Sequence, residues 1–237
     1  MISLSISTSG KYNSVAIYGE SLIASSTVES NNGSTSILMN SIDEVFKKSN
    51  KNKNDLEVVY LDIGPGFYTS LRIGLAVAQG ICASLGLPLV PVNGLDALSY
   101  AAHTGHRKIY SIIDIKREEF AFCTYKPVPG GVVKSSEPEI LNQEDIKQKL
   151  SEDNEKKLVV GNWQGLELAS IKDSSFVKLA SPEFVTADYI QNLGKEIFRS
   201  GEFPNFNEVQ IAYMREPDVL FSSNNLEQEV NFYDWAN

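Results

Sequence analysis

The chain has 237 residues, 42% hydrophobic and 22% charged, which is the composition of a folded globular protein of one large domain or two of roughly 100 residues. Its 30 acidic residues outnumber its 21 basic ones, for a net charge of −9 and a pI near 4.8. That balance excludes unaided binding to a phosphate backbone, which needs clustered Lys and Arg to displace counterions. Cys82 and Cys123 stand in apolar surroundings with neither CxxC spacing nor a nearby histidine cluster, so both are expected to be buried thiols in a reducing, cytoplasmic setting.

Ile2, Leu4 and Ile6 alternate with serines, and no basic region or continuous apolar core precedes them, so no signal peptide is expected and the mature chain starts at Met1. With Ser14–Tyr18 and Leu22–Val28 they predict a three-stranded antiparallel meander. Ser34 follows an Asn-Asn-Gly turn and is placed to cap a helix whose apolar face carries Leu38, Ile42, Val45 and Phe46. Val58–Ile63 predicts a central strand and Gly64-Pro65-Gly66 a turn. A helix to about Leu85 follows, capped by Thr69 or Ser70, then a strand at Leu89–Val92 and a short helix from Asn93 to Ala102.

Between Arg72 and Asp96 there is no charge, a stretch long enough to span a bilayer. Gln79, the Gly86-Leu87-Pro88 break and Pro91 divide it into a helix and a strand of a soluble αβ unit, and no membrane association is expected. The first hundred residues thus read βββαβα. A second such cycle starts at Lys108, with strands at Ile109–Asp114 and Phe120–Tyr125 around the charged turn Lys116-Arg117-Glu118. Val132-Val133, a helix Asp145–Leu150 capped by Asn142, a strand Leu158–Val160 and a helix from Thr186 to Ser200 complete it. Residues beyond Pro204 read as irregular, ending in an acidic and aromatic tail.

Several groups could carry chemistry. The turn of Gly64 and Gly66, with Thr69 at the following helix start, either holds an anion on free N–H groups or is a tight structural turn. His103 and His106 lack a third ligand, and with so few histidines no nucleophile–base pair assembles. Asp62 and Asp114, at strand ends, either enter a cleft or cap a neighbouring loop. Gly74, Ala78 and Cys82 recur at i, i+4, i+8, flanked by Leu71 and Leu75. They either pack on the chain's own sheet or, with Leu38, Ile42 and Val45, form a partner interface.

The string "GPGFYTSLRIGLAVAQGICASLGLPLVPVNGLDAL" (Gly64–Leu98) resembles the GPGSFTGLRIG…AKGLA signature of the bacterial TsaB (YeaZ) family, which supports formation of threonylcarbamoyladenosine on tRNA. "LSISTSGKYNSVAIY", "SIIDIKREEFAFCTY", "VVGNW" and "AYMRE" resemble further family segments, so the likeness runs over most of residues 1–216. It implies an α/β, actin-like (ASKHA) duplicated fold. The subdomains would be 1–104, carrying the partner-binding helices, and 105–216, followed by a tail at 217–237.

The resemblance also implies an accessory, non-catalytic scaffold that binds and activates the catalytic paralogue TsaD. A TsaE-type ATPase would act through the complex, ATP would sit at most at the partner junction, and tRNA would be met only indirectly. Homodimerisation through the same helices is the other pairing. In the paralogue a His-x-x-x-His metal pair follows the strand equivalent to Leu89–Val92; here Gly94 and Leu98 stand at those positions, so no metal and no intrinsic cofactor is expected. Ser7 replaces the family's first-strand Asp, Ser34 a His, Phe67-Tyr68-Thr69-Ser70 the SFTG segment and Glu118 a glycine. An actin-like small-molecule kinase or ATPase working in the inter-subdomain cleft is the alternative.

Overall fold

The computed structural model describes residues 1–30, 34–103, 106–152, 154–166, 175–181 and 183–214. The tail predicted at 217–237, with Phe232, Tyr233 and Trp235, and the Asn31-Asn32-Gly33 turn lie outside the described residues.

The meander forms as read: β1 (Ser3–Ser7), β2 (Tyr12–Tyr18) and β3 (Leu22–Glu29) pair antiparallel. Then come α1 (Thr35–Ser49), β4 (Val58–Asp62), α2 (Tyr68–Leu85), β5 (Leu89–Val92) and α3 (Gly94–Ala101), with β4 and β5 added parallel to β1 in the order β3-β2-β1-β4-β5. Ser34 caps α1 by accepting the Ile37 N–H at 3.4 Å, and Asn93 caps α3 by accepting those of Leu95 and Asp96. At α2 the expected cap is corrected. Phe67 takes the N-cap position without a side-chain bond, and Thr69 and Ser70 fall inside the helix. Its other end is as read: Gly86 adopts φ +67°, where a residue with Cβ is disfavoured, and the chain turns into β5.

The second half is β6 (Lys108–Asp114), β7 (Glu119–Val128), β8 (Gly131–Lys134), β9 (Glu139–Asn142), α4 (Gln143–Ser151), β10 (Lys157–Gly161), β11 (Val177–Leu179) and α5 (Ala187–Ser200). Its sheet runs β8-β7-β6-β10-β11 with the same parallel and antiparallel pairings as the first, and β9 pairs with β7 as well. The repeated strand order is the duplication expected for an actin-like α/β fold of two subdomains. Sequence reading missed β9 and β11, both too short for a period-2 signal. Among the described residues no helix is long and apolar enough to cross a membrane.

Burial divides the molecule into five layers. Leu4, Ile6, Val59 and Leu61 face α1 and α2 on one side of the first sheet. On its other side Val58, Tyr60, Val90 and Val92 meet α3, α5 and the inner face of the second sheet, including Ile109, Ile113 and Ala121. Tyr110, Ile112 and Phe122 cover α4 beyond. β1 is therefore buried on both faces, and its alternating serines point inward rather than to water. Ser3 and Ser5 hydroxyls both donate to Gln191 Oε1 of α5, at 2.9 and 2.7 Å. Gln191 is thus the acceptor that makes a polar stripe tolerable in the core.

The packing crosses the expected subdomain boundary. α5 packs on β1, β4 and β5 of the first sheet, although it belongs to the second half in sequence. The following segment stays there: Gln79 Nε2 donates to Phe206 O, Val209 is buried among first-sheet residues, and the Ala212 N–H donates to Ile63 O at 2.9 Å. The close approach of α5 depends on Gly194, where a Cβ would lie 2.5 Å from Tyr60 Cδ1.

Gly194→Ala is accordingly expected to lower the unfolding free energy by about 2 kcal/mol through overpacking. Gly80→Ala, on α2 with nothing within 4 Å of its Cβ position, should instead raise it by about 1 kcal/mol. Urea melts of the two variants, with opposite signs for one chemical change, check the layer assignment.

Candidate functional site

Asp62 lies buried where the strand ends of the two sheets approach each other, beside Gly94 of α3, and Val185 reaches the same point. Asp62 ends β4 and is 1% exposed. Its Oδ2 accepts the hydroxyls of Ser7 at 2.7 Å and Ser9 at 2.5 Å, and its Oδ1 accepts the Gly64 N–H at 2.8 Å. Burial pushes its carboxyl above the ordinary range, against the opposing pull of the Ser9, Ser7 and Gly64 donors. Ser7, where the resemblance implies an Asp, is therefore a donor to a neighbouring strand's carboxylate; a second acidic group there would face Asp62.

The Gly-Pro-Gly turn folds over this carboxylate. A Cβ at Gly66 would lie 2.1 Å from Ser9 O, and the Phe67 N–H donates to that oxygen at 2.7 Å. Gly64, at φ +95°, accepts the Gly94 N–H at 2.8 Å. Of the two readings of this turn, the tight structural one matches these contacts. The N–H groups of Gly64 and Phe67 are spent internally, and a carboxylate lies beneath them. Thr69 is exposed, one turn away.

Gly94 closes the cleft from α3, since a Cβ there would lie 3.1 Å from Ile113 Cδ1, 3.2 Å from Val185 Cγ2 and 3.3 Å from Asp62 Oδ1. Leu98 is fully buried. Gly94 and Leu98, where the resemblance implies a metal pair in the paralogue, are consequently taken up by packing across the subdomain junction, and these residues do not fit a metal. His103 Nδ1 lies 2.6 Å from Tyr100 O and its ring tilts over Tyr100, while His106 is exposed. Among the described residues no three His, Cys, Asp or Glu side chains gather as a ligand set. Cys82 and Cys123 are buried free thiols, and burial pushes Cys82 up to about 12.

The outer cleft is open, a 910 Å³ cavity between the β1–β2 and β6–β7 turns, lined among others by Lys11, Asp114, Arg117 and Glu183. Asp114 acts as a loop cap, its Oδ1 accepting the Lys116 N–H at 2.7 Å. Asn162 supports the same strand end by accepting the Asp114 N–H at 3.0 Å and donating to Glu183 O. Lys116, Arg117 and Glu118 adopt φ of 74°, 61° and 59°, three consecutive left-handed residues with side chains. The turn carries Lys116 to the Phe67 ring, Nζ 3.9 Å from its centroid.

Most of the residues expected at a partner interface face inward. Leu38, Ile42, Val45, Leu71, Gly74, Ala78 and Cys82 are all buried against the chain's own sheet, and only Leu75 is partly exposed. Gly74 is small because α2 crosses the β1–β2 loop, where its Cβ would lie 2.4 Å from Thr8 Oγ1. The surface of α2 is a different stripe: Thr69, Arg72, Ala76, Gly80 and Ala83 are exposed, with Ile73 and Val77 half-buried beside them. A 330 Å³ groove runs along it between Thr35 and Val77. At one end the Arg72 guanidinium lies 4.0 Å from the Tyr68 ring centroid, and its Nε donates to Tyr213 OH at 2.9 Å.

A family model described as TsaD, tRNA N6-adenosine threonylcarbamoyltransferase, matches residues 28–188, more than half of the chain. The chain belongs to this family. Within it, the TsaB/YeaZ branch is the one it resembles. The tRNA threonylcarbamoyladenosine biosynthesis protein TsaB of Buchnera aphidicola is 28% identical over 138 residues, 56% of this chain and 62% of that relative. The Escherichia coli TsaB is 23% identical over 165 residues, 68% of this chain and 71% of that relative. A shorter match to Haemophilus influenzae TsaB, 31% identical over 83 residues, spans 34% of this chain and 35% of that relative. The chain thus spans less than two thirds of the length of the Buchnera and Haemophilus relatives. YeaZ from Pseudomonas aeruginosa shares the fold with a TM-score of 0.75 at 19% identity, over 90% of this chain and 99% of that one.

Two outcomes follow for the site. Because the folded state holds the Asp62 proton above the unfolded value, it binds more protons in that interval, and stability falls as pH rises through it. Asp62→Asn should flatten that slope in urea melts taken from pH 4 to 7. Glu118→Gly, which removes a Cβ from a left-handed position, should raise stability by about 1 kcal/mol, read as a higher urea midpoint at unchanged m.

Proposed function

We propose that this chain is a non-catalytic accessory subunit in tRNA threonylcarbamoyladenosine biosynthesis, binding and activating a threonylcarbamoyltransferase paralogue of the TsaD kind. The observation that carries this reading is the packing at Gly94 and Leu98. Where the catalytic relative places a metal pair, this chain brings α3 against Ile113, Val185 and Asp62, and the close backbone contact has no space for a ligating side chain. An actin-like kinase or ATPase is the weaker reading, because Ser7 and Asp62 satisfy each other.

The partner face in this reading is the outer stripe of α2 with the exposed edge of α1, including Met39, which is 47% exposed. Small residues at 76, 80 and 83 permit a helix of the partner to approach closely, and half-buried Ile73 and Val77 supply apolar flanks. Any nucleotide of the complex would sit at the junction with the partner, and a TsaE-type ATPase would act on the assembled pair. RNA contact falls to the partner, in keeping with the net charge of −9.

Ala76→Arg and Gly80→Arg are expected to fold, the first with little change in melting and the second with a higher midpoint from the lost helix glycine, and to lose co-purification with the paralogue, because both positions are exposed. Gly74→Arg and Ala78→Arg should fail to fold at all. Undiminished co-purification of both surface variants would place the interface elsewhere, and a self-paired chain would show as loss of a dimer in sedimentation.

A further inference from the structure

We infer that the two subdomains are interlocked by exchange of their last helices and do not open and close as hinged halves. Each half contributes its final helix to the other half's sheet. α3, from the first half, is seated on the second sheet: Ser111 Oγ donates to Leu95 O at 3.1 Å, Tyr125 OH donates to Asp96 Oδ1 at 2.5 Å, and Lys134 Nζ lies 3.3 Å from the same carboxylate oxygen. α5, from the second half, is seated on the first sheet through Ser3 and Ser5 to Gln191, Tyr18 to Asp188, and the Ala187 N–H to Ser14 Oγ at 3.0 Å.

A hinge rotation must tear at least one helix from its seat, and both seats are closed by contacts that tolerate no slack. Gly194 lies against the Tyr60 ring and Gly94 against Ile113, Val185 and Asp62, each too close for one added carbon without movement of a neighbour. Interiors packed this tightly switch between discrete arrangements rather than deform continuously, and here opening would expose the Ser3, Ser5 and Asp62 bonds together. The mouth carries two further ties, the stacked Tyr12 and Phe184 rings with centroids 4.7 Å apart and Lys116 on Phe67. The 910 Å³ outer cleft is therefore of fixed width, and α2 is presented to its surroundings as a preformed surface. This holds whether or not the partner proposed above is the right one.

The test is a distance across the mouth. Spin labels are placed on Lys11→Cys and Glu144→Cys, which line the cavity from opposite subdomains and are both exposed; Cys82 and Cys123 are buried and should not label. A single narrow distance distribution is expected, unchanged by millimolar Mg–ATP and lost only in the same urea transition that unfolds the chain. A second, longer population in the folded protein, or a shift with Mg–ATP, overturns the inference. On the unmodified chain, native-state hydrogen exchange gives an independent reading: the Ala187 amide should exchange within about threefold of the slowest β1 amides, since both would open only by global unfolding. Exchange a hundredfold faster at Ala187 would show α5 leaving its seat in the folded protein and would equally contradict the interlock.

Discussion

A carboxylate held away from water by two serine hydroxyls and one backbone N–H is the constraint around which this chain is arranged. Asp62 gathers β1 through Ser7, the β1–β2 loop through Ser9 and the Gly-Pro-Gly turn through Gly64. A buried acid is costly when unpaired and tolerable only when its acceptors are filled. The donors must therefore come from elements that would otherwise be free to diverge, and their convergence sets where α2 begins and where α3 can approach. The same economy recurs along β1, whose Ser3 and Ser5 require Gln191 and so draw α5 across from the second half.

From this centre the functional reading follows outward. In an actin-like fold the strand ends face one another across a cleft, and what occupies that cleft decides whether the chain can do chemistry there. Here Asp62 with its serines and the packed contacts of Gly94 fill the inner strand ends, while the open outer cleft is lined by charges of both signs. Distinctive features left on the outside are the small-residue surface of α2 and its Tyr68, Arg72 and Tyr213 cluster. The proposed role rests on that presented face, in a family whose matching model is named for the transfer reaction.

Much of the architecture was legible because its signals are local. Alternation fixed β1 to β3, caps at Ser34, Asn93 and Asn142 marked three helix starts, and the Gly86 and Pro88 break separated α2 from β5 within one uncharged stretch. The site was less legible, because its determinants are distances between segments remote in sequence. Gly74, Ala78 and Cys82 read equally as an interface stripe and as a core stripe, and only the direction of α2's face against the sheet separates the two. The outer stripe, offset by two residues at Ala76 and Gly80, carries the same small-residue signal, and the sequence alone does not tell which of the two faces solvent. Gln191 was findable in principle: a Gln on the apolar face of an otherwise amphipathic helix, in a chain whose first strand alternates with serine, is a donor–acceptor match waiting for its geometry. Phe67 displaced Thr69 and Ser70 as helix cap because the turn before it is anchored to Ser9, a long-range bond with no sequence signature.

The central claim, that the reaction belongs to a partner and not to this cleft, is tested most directly by assaying threonylcarbamoyladenosine formation on tRNA with the isolated chain, the isolated paralogue and the two combined. No product from the chain alone and a marked rise when it is added to the paralogue is the result predicted. Product formed by the chain in the absence of any other protein, and lost on Asp62→Asn, would contradict it.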